Sequence, residues 1–324
     1  MMQSKIIILF LFLCSTVSPE IKYKSKLLHH IKSTGDNYEI GIENGGDGEI
    51  VTGFYLYKDK IVVANPAQFG VYIFDKNAKL LDIFTSKDFD DRNSYFIGGY
   101  LSAFSNVFRA IGYKFATERR FIGIYNLDTL SWTEIPSLVL HASRFLPLGQ
   151  EKLLVLTTEP NHRTLNVIDS SGQKINSLFF EDMLDNNESI LFGKWIYAYS
   201  VNGYTNLEYK RKYTVINKYS FEDKLDGKVK GQYFLPRINN RHIGSIVGEY
   251  KDYFILGLEY SFLVYKIQTN GNCDFLFRQR LHTGGNELMP PPERHRMNEN
   301  GVIHSMVFGD GRDLFIYEST PVEE

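Results

Sequence analysis

The chain of 324 residues contains only two cysteines, Cys14 and Cys273. Cys14 ends an N-terminal apolar segment, which leaves Cys273 without a disulfide partner in the mature domain. It reads as an inert thiol beside the turn Asn270-Gly271-Asn272. No CxxC pair and no Cys/His metal spacing occurs. Charge of one sign is equally scarce. The 36 Lys and Arg are scattered among 38 Asp and Glu, a formal net charge of −2, so nucleic acid is excluded as a partner for want of a basic footprint. No apolar run reaches transmembrane length, and Ile6–Leu13 is too short to span a bilayer. Long helical patterns between strands are missing too, which excludes a TIM barrel or a doubly wound sheet. The signatures GxSxG, HExxH, the Walker loop, the EF-hand loop and the sialidase-type Asp box are all absent.

Aromatic residues, by contrast, are abundant, with 24 Phe and 21 Tyr, as in strands that pack sheet on sheet. The segment Lys60–Phe84, KIVVANPAQFGVYIFDKNAKLLDIF, holds three short apolar runs at Ile61–Ala64, Val71–Phe74 and Leu80–Phe84. Turn-forming residues separate them, and Gly53–Tyr57 supplies a fourth strand. The unit recurs over Phe96–Pro136, Ala142–Phe180, Ile190–Leu235 and Ile243–Arg280. Its third strands give the phase: GVYIFD at Gly70, FIGIYN at Phe121, TLNVID at Thr164, VINKYS at Val215 and FLVYKI at Phe262. The repeat length is roughly 48 residues, that of a propeller blade with long loops.

After the fifth unit, Leu281–Asn300 (LHTGGNELMPPPERHRMNEN) has neither strand nor helix periodicity. Val302–Phe308 and Leu314–Tyr317 then lack partners, while Tyr23–Ile31 and Tyr38–Ile42 lack a blade. Two strands from each end make a sixth. The expected fold is all-β, a six-bladed β-propeller over residues 20–324, with N- and C-terminal strands sharing the last blade to remove open edges. Seven blades is the alternative, with the extra one in Lys87–Asn106 or before Asn300.

Residues 1–19 read as a signal peptide or lipoprotein signal, with Lys5 as a minimal positive n-region before the apolar core. Leu11-Phe12-Leu13-Cys14 resembles a bacterial lipoprotein box, although Leu13 stands where a small residue is expected. Lipidation at Cys14 competes with simple cleavage near Thr16-Val17-Ser18. The expectation is export to the periplasm, outer membrane or cell surface of a bacterium, with the membrane reached only through an N-terminal lipid.

The candidate chemistry lies in three histidines, His141, His242 and His304, each read as near the start of an innermost strand. Innermost strands surround the central channel of a propeller, so these imidazoles, with Arg144 and Arg241, face one mouth. A neutral histidine trio suits a transition metal, and the His/Arg mixture suits an anion. The competing reading makes them unrelated residues with local hydrogen bonds. The long segment before the last blade carries His282, Glu287, Arg294, His295 and Arg296, a set suited to a lid or contact surface.

The unit DKIVVANPAQFGVYIFDKNAKLLDIF resembles the repeat of six-bladed NHL and TolB-like propellers. In those families a strand ending in VAN or VAD leads through a short loop to V-x-V/I-F-D. The likeness is greatest in the first unit and least in the second and fourth. It implies the fold and a bias toward ligand or partner binding on one face. The expected function is an exported, non-catalytic binding or interaction scaffold, monomeric, taking a protein or small anionic ligand. No cofactor is required. The alternative is a propeller hydrolase, lactonase or lyase using an axial metal, and a third reading is a structural envelope component.

Overall fold

The structure, a computed structural model, describes residues 20–32, 53–65, 70–85, 94–96, 102–114, 119–136, 142–147, 152–159, 162–169, 171, 173–183, 190–192, 194–206, 212–220, 226–238, 244–258, 260–281, 294–308 and 313–323. Strand β1 (Ile21–Ile31) comes first. Sheet 1 follows, with β2 (Gly53–Tyr57), β3 (Lys60–Asn65), β4 (Gly70–Asp75) and β5 (Leu80–Thr85). Sheet 2 has β6 (Ser94–Phe96), β7 (Ser102–Phe104), β8 (Val107–Lys114), β9 (Arg119–Asn126) and β10 (Ser131–Pro136), and both β6 and β7 pair with β8. Sheet 3 contains β11 (Ala142–Pro147), β12 (Lys152–Glu159), β13 (His162–Asp169) and β14 (Lys174–Phe179). Sheet 4 contains β15 (Ile190–Phe192), β16 (Trp195–Tyr199), the short helix α1 (Val201–Thr205), β17 (Tyr213–Ser220) and β18 (Val229–Pro236). Sheet 5 is β19 (Ser245–Tyr250), β20 (Tyr253–Leu258), β21 (Ser261–Ile267) and β22 (Cys273–Arg280). In sheet 6, β23 (His295–Met297), β24 (Ile303–Phe308) and β25 (Leu314–Glu323) are joined by β1, in the order β1-β25-β24-β23.

Local chemistry explains the turns. Asp75 Oδ1 accepts the backbone N–H of Asn77 and Lys79, both at 2.8 Å, while Ala78 sits at φ 63°. Asn126, Asp169, Asn270 and Asn298 repeat the device, each accepting an N–H two residues on. A bulge follows at matching places, between Ile73 and Phe74, Val167 and Ile168, Lys218 and Tyr219, and Val264 and Tyr265. Four sheets therefore carry the same irregularity between their third and fourth strands, as repeats of one unit would.

The core lies between sheets. Val62, Val71 and Ile73 of sheet 1 pack on Phe108, Phe121 and Tyr125 of sheet 2. Sheets 4 and 5 meet through Tyr197, Ile216, Leu235, Phe254 and Tyr265. Val247, Ile255 and Val264 of sheet 5 meet Ile21, Tyr23, Ile303 and Val307 of sheet 6. Phe54, Val63 and Phe74 of sheet 1 meet Ile31, Met306 and Ile316 of sheet 6. Each such side chain contributes on the order of 1.5–3 kcal/mol when taken out of water. Strand β20 (YFILGL) is buried at every residue because its sheet is covered on both faces. First strands also lie side by side: β11 touches β7 and β15, and β19 touches β15 and β23. This is a propeller-type arrangement.

One expectation is corrected. The sixth sheet takes one strand from the N-terminus and three from the C-terminus, because β23 arises within the segment read as structureless. His295, Arg296 and Met297 have no alternation to announce a strand, yet pair in register with Ser305, His304 and Ile303. Helix α1 follows β16, capped by Ser200 and anchored by Asp182, which accepts from Ser200 Oγ and the Asn202 N–H. Tyr38–Ile42 and residues 1–19, Cys14 included, lie outside the described residues.

Candidate anion-binding cleft

Where sheet 6 meets sheet 1, a cleft of about 290 Å³ is lined by Leu28, His29, Leu56, Lys58, Asp59, Lys60, Ile61, Lys76 and His304. Turn geometry gathers these residues. Lys58 and Asp59 form the tight β2–β3 hairpin, with Lys58 at φ 52°, and Lys76 sits in the β4–β5 turn at the same end of the sheet. From the other side, a bulge in β1 between Leu27 and His29 inserts Leu28 as an extra residue. A bulge of this kind re-aims side chains at a strand pair's edge. His304 stands on β24, opposite Glu318 of β25.

The charge in the cleft is one-sided. Lys60 meets Asp59 only at 3.9 Å. Lys58 pairs with Asp128 at 2.9 Å, and its bonds to Tyr57 and Asp128 hold the ammonium above its ordinary pKa. Glu318 is turned to its own sheet: it receives Lys26 at 2.7 Å and faces His304 Nε2 at 3.3 Å, and the Lys26 bond holds its carboxyl below the usual range. Burial lowers the pKa of His29, opposed by the Lys76 carbonyl and reinforced by His304. The recess is lined by three lysines, two histidines and one carboxylate; with Lys58 held by Asp128 and His304 by Glu318, Lys60 and Lys76 supply its cationic charge. Such a set attracts anions and repels metal cations. Among the described residues no group of three His, Cys, Asp or Glu side chains is arranged to hold a metal.

The seam between sheets 4 and 5 carries a cation–anion pair of its own. Lys218 reaches from β17 to Glu249 of β19 at 2.8 Å, and Tyr197 and Tyr233 donate to the same carboxylate oxygen at 2.8 and 2.7 Å. The ammonium lies 4.3 Å from the Trp195 ring centroid. A cation from one sheet is thus met by an anion from the next. At the seam of sheets 6 and 1, Glu318 of sheet 6 is taken by Lys26 and His304.

Of the histidine constellation read from sequence, only His304 lies among the described residues. His304 lies on the second strand of its sheet, not the innermost. It is His295 that starts the first strand of sheet 6. His295 is 3% exposed and fully committed: its Nε2 donates to the Leu258 carbonyl at 2.6 Å, so Nδ1 accepts from Ser305 Oγ at 2.8 Å. Burial pushes its pKa down to about 4. Arg294 is 2% exposed. Neither belongs to a lid or contact surface, because both side chains are buried. Arg296, expected on the same lid, has its guanidinium 5.7 Å from the Tyr55 ring centroid. Arg144 lies in β11 opposite Leu156. His141, Arg241, His242, His282 and Glu287 fall outside the described residues. Cys273 is buried and free, and burial pushes its thiol up to about 12.

Sequence reasoning missed His29, Lys58, Lys60 and Lys76. A signal was present, since the lysines flank the two hairpin turns of unit one that a four-stranded meander brings to one end. What completes the cleft is β1, and its place beside unit one is not a local property.

No protein-family model matches the chain, and no curated protein matches it in sequence. Among solved structures it is similar to RRP9 WD40 repeats, at 9% identity over 92% of this chain and 99% of that one, TM-score 0.46. It is also similar to U3-55K, at 9% identity over 90% and 98%, TM-score 0.45. A third is the N-terminal domain of Nup159, at 11% identity over 84% and 76%, TM-score 0.44. Likeness this distant transfers no residue roles.

Proposed function

We propose that the chain is a six-bladed β-propeller acting as a non-catalytic binding scaffold, and that the cleft between its last and first blades captures a small anionic group on a ligand or partner protein. The observation that carries the reading is the gathering of Lys58, Lys60, Lys76, His29 and His304 around a recess holding one carboxylate. Charge-assisted bonds of this kind are each worth on the order of 1.5–3 kcal/mol. The six-blade count is supported by six sheets among the described residues, each touching its neighbours in chain order. The ring closes in this reading through β1, which pairs with β25 from Ile21 opposite Glu323 to Ile31 opposite Leu314. The NHL- and TolB-like character of the repeat, the bacterial setting, the monomeric state and export through residues 1–19, with lipid on Cys14, belong to the same proposal and rest on the sequence.

Calorimetric titration of the full chain with inorganic phosphate tests the cleft. Saturable binding is expected, weakened at least about tenfold in Lys60→Ala/Lys76→Ala, for the loss of about 1.4 kcal/mol or more, with an unchanged melting temperature. Equal affinity in the folded double variant would place the anion elsewhere and sink the reading.

A further inference from the structure

We propose that the group entering the cleft is a carboxylate on an unbranched apolar stem of about four to six carbons, as a free acid or as the end of a partner's chain. This rests on the anion reading above and goes beyond it in chemical class. The lining is divided. Lys60 and Lys76 supply cationic heads, whereas Leu28, Leu56 and Ile61 are apolar, and Ile61 is buried near the start of β3. Leu56 also packs against the buried cluster of Phe54, Val63 and Met306, so the apolar part of the wall is continuous with the core between the sheets.

Size and solvation select within the anions. A volume of about 290 Å³ is room for about ten waters, far more than a bare carboxylate or phosphate fills. A phosphate set against Leu56 and Ile61 would leave polar oxygens facing apolar wall and lose their hydration without return. A short alkyl stem covers that wall and leaves the two carboxylate oxygens to the lysines. Lysine suits this task, because a compact ammonium on a flexible stem imposes no forked geometry on its acceptor.

Titration of the wild-type full chain with acetate, butyrate, hexanoate, hexanol and inorganic phosphate reads the inference directly. Affinity is expected to rise about three- to fourfold per methylene added from acetate to hexanoate. Hexanoate should exceed phosphate, hexanol should bind far more weakly than hexanoate, and the chain-length gain should flatten in Leu56→Asn. Phosphate and acetate binding with no gain along the series would overturn the stem and leave the anion cleft standing. Hexanol binding as well as hexanoate would overturn the carboxylate. Silence from every anion would overturn both this inference and the reading beneath it. The wild-type series decides these outcomes even where Leu56→Asn does not fold.

Discussion

His295 and Gly257 are fitted to one another. A Cβ built on Gly257 would stand 2.3 Å from His295 Cδ2 and 2.8 Å from Ser245 Oγ, so the imidazole lies in a slot that only glycine leaves open. With both ring nitrogens engaged, the neutral ring is the form the fold accepts. Its folded pKa, about 4, lies below the ordinary 6.5. As pH falls through 6.5 the unfolded chain takes up a proton that the folded chain refuses, so stability is lost from there down to about 4 and is fully present above 6.5. The full loss is up to about 3 kcal/mol. Urea unfolding at pH 7.5 and pH 4.5 should show a larger fall for wild type than for His295→Gln. Equal falls would mean that the ring protonates without cost in the folded protein.

At the scale of the element, β1 carries more than its position suggests. Ile21 and Tyr23 are buried against sheet 5, and Ile31 against sheet 1, so one strand seals two seams. Deleting residues 20–32 should expose the β25 edge along ten paired positions and give aggregation rather than a modest loss of stability. Size-exclusion chromatography checks this, and a monomeric, equally heat-stable truncation would contradict the assignment. The same strand marks where local reading stops. Units such as KIVVAN and GVYIFD declare themselves by β-branched residues between Asx turns, because their partners are their sequence neighbours. β1 has a partner nearly 300 residues away (Ser25 to Ser319, a separation of 294), and β23 is a polar triplet held by the pairing of others. Missing β23 shifted the phase of the last repeat, which put His304 on the channel and left His295 in a loop. The cleft was illegible for the same reason: half of its wall belongs to the first unit and half to the closing sheet.

At the scale of the molecule, the seams differ in what fastens them. Sheets 5 and 6 join through apolar packing, the buried His295–Leu258 hydrogen bond and an exposed Lys251–Glu323 pair, whereas sheets 4 and 5 carry the Lys218–Glu249 pair, 14% and 19% exposed, with two phenols on the same oxygen. Burial, and then Glu249 itself, hold the Tyr197 phenol above its ordinary pKa, so it stays a donor. Glu249→Ala should cost about 2–3 kcal/mol by stranding three donors in a half-buried site. Lys218→Met/Glu249→Leu should cost less than that single change, because it removes the charges together. Chemical denaturation of the two variants checks the order. A double variant no better than the single would show that the aromatic ring around the ammonium, not the desolvated charge, carries the seam.

The pairing of Ile21 with Glu323 also sets the order in which the molecule can be made. A chain that emerges N-terminus first carries β1 as an unmatched strand, with Ile21 and Tyr23 bare, until β25 has appeared. The five intervening sheets can form from neighbouring segments, but the sixth waits for both ends, and closing so long a loop is the slow kind of contact. The interval before closure is therefore when the chain is most exposed to pairing with a second copy of itself, and its length is set by the rate of synthesis rather than by the stability of the finished fold.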